Sequence, residues 1–425
     1  MKKGDHLYQQ YLNILNEELR PAMGCTEPIA LAYAAARARQ VLGAVPEKIR
    51  LFVSGNIIKN VKSVVVPNTG GLHGMAAAIS AGIIAGDADQ ELQVISHVAP
   101  EAHARIKAYM ESADLEIQPA YSDLVFDIDL FVYAGEDMVR LRIANHHTNV
   151  VLIQKNQETL LELPVTESSE DHLTDKSCLS IEKIVEFADC LDVNDVRESV
   201  GRQIACNMTI AEEGIHSDWG ANIGSVILRR QGDLLEKKAC AYAAAGSDAR
   251  MSGCEKPVII VSGSGNQGIT ASVPVAVYAK ELGKSEEELL RAVALSDLVT
   301  IHQKAGIGRL SAYCGAISAG CGAGAGIAYL LGGDAHAVAH TVVNAIAILS
   351  GTICDGAKPS CAAKIAAAVD AGILGYHMYL EKQQFYGGDG IVTKGVDNTV
   401  RNVGILAREG MRETDRTILE IMLNN

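Results

Sequence analysis

Aromatic residues are scarce: one Trp and five Phe in 425 residues, with all aromatics at 4%. Base-stacking platforms for single-stranded nucleic acid are therefore not expected. Positive charge is short as well. Lys and Arg number 37 against 51 Asp and Glu, a net charge of −14. Such a chain lacks the field that nucleic acid or an anionic membrane requires, so neither partner is expected. No CxxC pair occurs anywhere, which excludes zinc ribbons and ferredoxin-type ligation on spacing. The longest uncharged stretch, Leu310 to Gly333, covers 24 positions. Gly, Ala, Ser and Cys dominate it and contribute little to membrane insertion, so it reads as a buried helix of a soluble protein. The opening MKKGDHLYQQYLNIL has no apolar core before a small-residue cleavage site. No secretory signal and a cytoplasmic location are the expectations.

Hydrophobic residues make up 48% and charged residues 21%, a folded composition. The length suggests two or three domains. Gly reaches 40, against about 30 at the average usage of roughly 7%. That excess points to closely packed helices and backbone-lined sites. Ten cysteines without a secretion signal read as thiols rather than disulfides. Most single cysteines are small buried hydrophobes, but ten raise the question of a metal.

Residues 5–20 and 26–42 show helical spacing, with Thr26 as N-cap and Cys25 at the helix mouth. Residues 49–54 and 61–66 read as short strands, 67–74 (PNTGGLHG) as a Gly-rich turn, and 75–86 as an Ala-rich helix. From 113 to 165 β-branched residues alternate at period two between turn residues, which predicts an antiparallel meander. A Ser, Glu and Asp-rich linker (165–178) follows. Beyond it helices dominate, with a short buried strand at 257–261, long Gly/Ala helices at 309–331, 335–350 and 361–376, and a charged amphipathic helix at 398–425. The expected class is α+β: a mostly helical Gly/Ala-rich body with a small antiparallel β-lobe inserted in the N-terminal half. The parts are 1–112, 113–165 and 166–425, the last carrying the catalytic body.

Four constellations could carry chemistry. SGSGNQG (262–268) lies between a strand and a helix and contains GxGxxG. A dinucleotide site would need a second parallel strand afterwards, and the sequence continues as helix instead. The remaining readings are an anion site at a helix N-terminus, from Ser262, Ser264, Gly265 and Asn266, or a tight turn that merely packs closely. Cys314, Cys354 and Cys361 are the second set. Cys354 and Cys361 bracket DGAKPS, with Pro359 opening the next helix. Thiolates are favoured at turns and helix N-termini. Cys321 lies two turns beyond Cys314 and could compete, but GCGAGAG looks like a packing seam. The third is Cys25 in GCTEPIA, either a reactive thiol at a helix start or a buried capped one. The fourth is His147, Thr148 and Asn149 in NHHTNVV, read as strand residues that could orient a small polar ligand or as a solvated strand end. His73, His302 and Lys304 are further acid/base candidates.

Together, GCTEPIA, HTNVV, SGSGNQG, IGRLSAYCGA and TICDGAKPSC resemble the cysteine desulfidase family. That family is related to the α-chain of iron–sulfur L-serine dehydratases. The resemblance covers essentially the whole chain. It implies an oxygen-sensitive [4Fe–4S] cluster ligated by Cys314, Cys354 and Cys361, with Cys25 as displaceable fourth ligand or acid/base group. It implies breakdown of L-cysteine to pyruvate, hydrogen sulfide and ammonia without pyridoxal phosphate. The β-elimination moves no net electrons, so the cluster would act as a Lewis acid. Serine dehydration by the same mechanism is the alternative. An iron–sulfur sensor or a non-catalytic binding protein would be readings of another class. The partner expected is a small amino-acid substrate, with a homo-oligomer left open.

Overall fold

The computed structural model describes residues 1–120, 122, 124–165, 173–308 and 311–424. The chain begins in a helical core, leaves it, and returns. Helix α1 (His6–Glu18) puts Tyr8, Tyr11, Leu12, Ile14 and Leu15 on one buried face, the stripe its spacing predicts. Strand β1 (Arg20–Met23) follows. Helix α2 (Thr26–Leu42) is Ala-rich, buried on nearly every side, and starts a second core. Strand β2 (Lys48–Val53), helices α3 (Gly55–Val61), α4 (Gly74–Ala85) and α5 (Pro100–Ser112), and strands β3 (Asp114–Pro119) and β4 (Asp127–Ala134) come next. Strands β5 (Asp137–Ala144), β6 (Val150–Lys155) and β7 (Glu158–Glu162) complete this half.

The six strands form one sheet in the order β3-β2-β4-β5-β6-β7. Strands β4 to β7 are the antiparallel meander that period-two patterning predicts. Strand β2 adds to its edge, antiparallel to β4 and parallel to β3, so the sheet is mixed. Ile128, Leu130 and Val132 with Val139, Leu141 and Ile143 bury one face, which packs on α2. The alternate residues pair Arg140 with Asp129 and Arg142 with Asp127, each at 2.8 Å.

Two local readings in this half differ from the structure. Residues 61–66 form no strand: Val61 closes α3, and Val65 makes only an isolated bridge to His73 across the Gly-rich turn. NHHTNVV is not a strand centre either. Strand β5 stops at Ala144 and β6 starts at Val150, with Asn145 at a φ of 70°. Asn tolerates that left-handed conformation, which turns the chain. The expected linker falls partly on 166–172, outside the described residues.

The second half is helical: α6 (Ile181–Cys190), α7 (Ser199–His216), α8 (Ile223–Gln231) and α9 (Leu235–Met251). Strand β8 (Pro257–Ile260) pairs antiparallel with β1. Helices α10 (Gly265–Glu281), α11 (Glu286–Ile307), α12 (Gly315–Leu330), α13 (Ala335–Leu349) and α14 (Ser360–Leu380) form the centre. The expected start of α12 at 309 fell partly on Arg309 and Leu310, which lie outside the described residues. The C-terminal segment is broken into α15 (Val396–Ile405) and α16 (Arg412–Leu423) by a π-type turn at Leu406–Gly410. No helix among the described residues is long and apolar enough to cross a membrane.

Helix α12 is the packing seam. A Cβ on Gly320 would lie 2.4 Å from the Ala368 carbonyl oxygen, and one on Gly324 would lie 2.5 Å from that of Gly372. Both contacts step by four residues in the same direction, so α12 and α14 run parallel, backbone against backbone.

Asp297 on α11 is fully buried and accepts one bond, from Gln203 Nε2 at 2.9 Å. Its Oδ2 has no partner among the described residues. Burial pushes its pKa up to about 8, against the smaller opposing effect of Gln203. The folded state therefore holds a proton that the unfolded chain releases near pH 4. Stability from this group is present below pH 4 and is lost as pH rises through 8. The slope is at most about 1.4 kcal/mol per pH unit. Asp297→Asn should remove that slope. Denaturation midpoints at pH 6 and pH 8 should converge in the variant relative to the parent, and identical pH dependence in the two proteins would refute this assignment.

Candidate active site

Four helices begin on one cavity of about 790 Å³, its open mouth included. Cys25 is the N-cap of α2, Ser264 of α10 and Cys314 of α12, and Cys361 stands in the first turn of α14. Each helix start offers free N–H groups and roughly half a positive charge. The cavity sits where the two cores meet. Cys25 packs there with Val64 and Met251, and Ala357 and Cys361 join them.

The thiols are brought together by two separate contacts. An antiparallel bridge joins Tyr313 to Ile353. Through it Cys314 N donates to Thr352 O at 3.0 Å, and Cys354 N donates to Ala312 O at 2.6 Å. Cys314 and Cys354 then face each other. The Cys314 thiol donates to Cys354, which pushes the Cys354 pKa down; burial opposes this, and the charges of Lys59 and Lys364 assist. The same bond, with burial, pushes the Cys314 pKa up. The parallel packing of α12 and α14 brings in the third thiol. The register that sets Gly320 beside Ala368 sets Cys314 level with the first turn of α14, where Cys361 stands. Cys361 Sγ approaches the Gly356 carbonyl at 3.6 Å.

Cys25 faces a carboxylate. Its Sγ donates to Glu27 Oε2 at 3.2 Å. Asn60 Nδ2 holds the other oxygen at 3.0 Å. Burial and the Glu27 charge push the Cys25 pKa well up, and the Arg250 charge opposes them. Thr26 Oγ1 lies 3.2 Å from the Gly263 carbonyl, tying α2 to the Gly-rich loop.

Cys25, Ser264, Asn266, Cys314, Cys354, Cys361 and Lys304 therefore share one cavity. Gly265 opens α10, and a Cβ there would lie 2.4 Å from Arg250 Nε. Ser262 lines a small neighbouring pocket with Glu18, Lys176 and Lys304. His73 caps α4 and does not line the cavity. His147, Thr148 and Asn149 lie in the β5–β6 turn, also outside its lining, where the His147 ring packs on Phe126 at 4.7 Å. His302 Nε2 is 2.8 Å from Asp397 Oδ1. Cys321 is buried inside α12, and burial pushes its pKa up to about 12.

Sequence reasoning passed over Glu27, Asn60, Arg250, Gln267 and Tyr313, all in the cavity wall. Glu27, Gln267 and Tyr313 lay inside quoted motifs, so a signal existed. Arg250 and Asn60 lay in ordinary helical sequence and gave none.

The family model described as serine dehydratase alpha chain matches residues 89–420. A UPF0597 protein of Desulfitobacterium hafniense is 58% identical over 424 residues, covering 100% of this chain and 99% of its own. A UPF0597 protein of Lachnoclostridium phytofermentans is 46% identical, covering 98% of this chain and 100% of its own. One of Treponema denticola is 43% identical, covering 98% of each.

Gly356 sits between Cys354 and Cys361 with a φ of 100°, and a Cβ there would lie 2.2 Å from the Lys59 carbonyl oxygen. Gly356→Ala should cost about 1–2 kcal/mol in backbone strain alone, with a lower melting temperature. It should also make Cys354 and Cys361 react faster with a thiol reagent. Unchanged melting and thiol reactivity would show that the loop is not held as described.

Proposed function

This chain belongs to the serine dehydratase alpha chain family, and on that premise we propose that it is an iron–sulfur lyase that breaks L-cysteine down to pyruvate, hydrogen sulfide and ammonia. The observation that carries the reading is the convergence of Cys25, Cys314, Cys354 and Cys361 on one cavity rimmed by helix N-termini. The donor set suits a cluster. Thiolates are its usual ligands, and helix starts with Lys59 and Lys364 nearby favour the thiolate form of Cys354. Among the described residues no three His, Cys, Asp or Glu side chains already form a cage for a single ion. A cluster asks less of the site, because each thiolate binds its own iron.

Cys314, Cys354 and Cys361 would hold a [4Fe–4S] cluster, which would supply Lewis acidity at an iron left without a protein ligand. The chain's own groups manage the protons. Cys25 rests as a thiol, because burial and Glu27 hold its proton on Sγ. Glu27 Oε2 accepts that bond and is placed to take the proton, leaving Sγ as a base toward the substrate α-carbon. Asn60 keeps Glu27 in place. Loss of the α-proton and of the β-thiol gives aminoacrylate and hydrogen sulfide. Water then converts aminoacrylate to pyruvate and ammonia, with no net oxidation. The second reading is serine dehydration at the same site, favoured by the description of the matching family.

Anaerobic purification with iron and sulfide analysis, followed by assays on both amino acids, is the direct test. Cys314→Ser, Cys354→Ser or Cys361→Ser should each abolish iron retention. Cys25→Ser should keep the iron and lower kcat by about 10²–10⁴-fold. Cysteine should be turned over in preference to serine, since a soft iron centre suits a thiolate leaving group. Efficient serine turnover with cysteine acting only as inhibitor would move the assignment to the serine enzyme. Iron-free protein with full turnover would sink the cluster reading.

A further inference from the structure

Metal-ligating side chains also meet away from the cysteine cavity, at the start of α13. His336 and His340 stand four residues apart on that helix, so one turn puts both on the same face. Their Nε2 atoms are 3.1 Å apart, and neither residue lines the cysteine cavity. His336 is exposed and His340 half-buried, so solvent reaches the pair. Tyr379 of α14 packs on both rings. It stacks on His340 at 5.7 Å between centroids and meets His336 edge-on at 5.8 Å.

A hydrogen bond is one use of such a contact: one Nε2 carries the proton and the other accepts it. A metal ion is the other. Two nitrogens bound at about 2.0–2.1 Å to a tetrahedral zinc lie about 3.3 Å apart, so this pair needs only a small opening to seat one. The same spacing on one helix face binds zinc in the HExxH arrangement. Here Ala337 stands where that arrangement has its glutamate, so the ligands are present without the general base. Ligation requires neutral rings. Burial and then the His336 charge hold His340 below the ordinary histidine range, against a bond to the Gln384 side chain. A cation would also meet the positive end of α13, but the N-cap carboxylate of Asp334, bonded to Ala337 N at 2.9 Å, offsets that charge.

We propose that His336 and His340 form a two-histidine chelate for a borderline divalent d-block cation, of which zinc is the type. Among the described residues no group of three His, Cys, Asp or Glu completes a cage, so the remaining coordination positions fall to water and the ion is exchangeable. Imidazole suits zinc, nickel and copper, whereas magnesium prefers oxygen ligands. The chelate lies apart from the lyase machinery and does not rest on that reading.

The test is residue-specific acylation by diethyl pyrocarbonate, read by peptide mass mapping on the iron-loaded protein. Zinc is added in excess over every thiol and histidine, and magnesium serves as the comparison ion. Zinc should slow acylation of both His336 and His340 by the factor 1 + [Zn]/Kd, about a hundredfold at 100 times Kd. Magnesium should leave both rates unchanged. In His336→Gln the remaining His340 should lose that protection, and in His340→Gln the remaining His336 should lose it likewise, because one imidazole no longer chelates. Absence of protection in the parent overturns the proposal. So does equal protection by magnesium, or full protection of the remaining ring in either variant. Zinc held by cysteines elsewhere does not imitate the expected pattern, since the signal is read at the two rings.

Discussion

Four helix N-termini aimed at one cavity are the constraint on which the rest of the site depends. Each brings unsatisfied N–H groups and a partial positive charge. Helices α2, α10, α12 and α14 all start there. Cys25 and Cys314 are themselves N-caps, yet burial with Glu27 at Cys25, and the Cys354 bond with burial at Cys314, outweigh the helix starts and hold both as thiols. Against the Glu27 carboxylate, Lys59, Arg250 and Lys304 add side-chain positive charge around the same cavity. A zwitterionic amino acid, with no net charge, can approach it without repulsion from the −14 total.

Close helix packing makes that convergence possible. With Gly at positions 320 and 324, α12 meets α14 at backbone distance. Any side chain there would push the helices apart and carry Cys314 away from Cys361. The Tyr313–Ile353 bridge supplies the second tie, pinning Cys354 beside Cys314. Part of the Gly excess is therefore placed where two backbones approach beside the cavity. The cost is rigidity: the seam admits no enlargement without displacement of the site.

The cavity also needs both cores. Cys25, Glu27 and Asn60 come from the half that carries the sheet, and the other cysteines come from the helical half. Arg250 bridges them, reaching from α9 to the Gly24 carbonyl beside Cys25 and to Asn266 at the mouth of α10. Residues of both halves thus line one cleft, and Cys361 packs against the cluster that holds Cys25.

Local chemistry is legible in the sequence because its causes act over a few residues. Period two marked β4 to β7, and Ala-rich helical spacing marked α2 and α12. Pro359 marked the start of α14 between Cys354 and Cys361. Motif resemblance picked out Cys25, Cys314, Cys354 and Cys361. Tertiary structure decided what lies beyond that range. It added β2 to the sheet edge, turned NHHTNVV into a loop and set His73 outside the cavity lining. It brought Arg250 to Gly24 across 226 residues of chain. Caps and periodicity are fixed by neighbouring backbone, whereas contacts across hundreds of residues follow from which helices can approach, and only packing determines that.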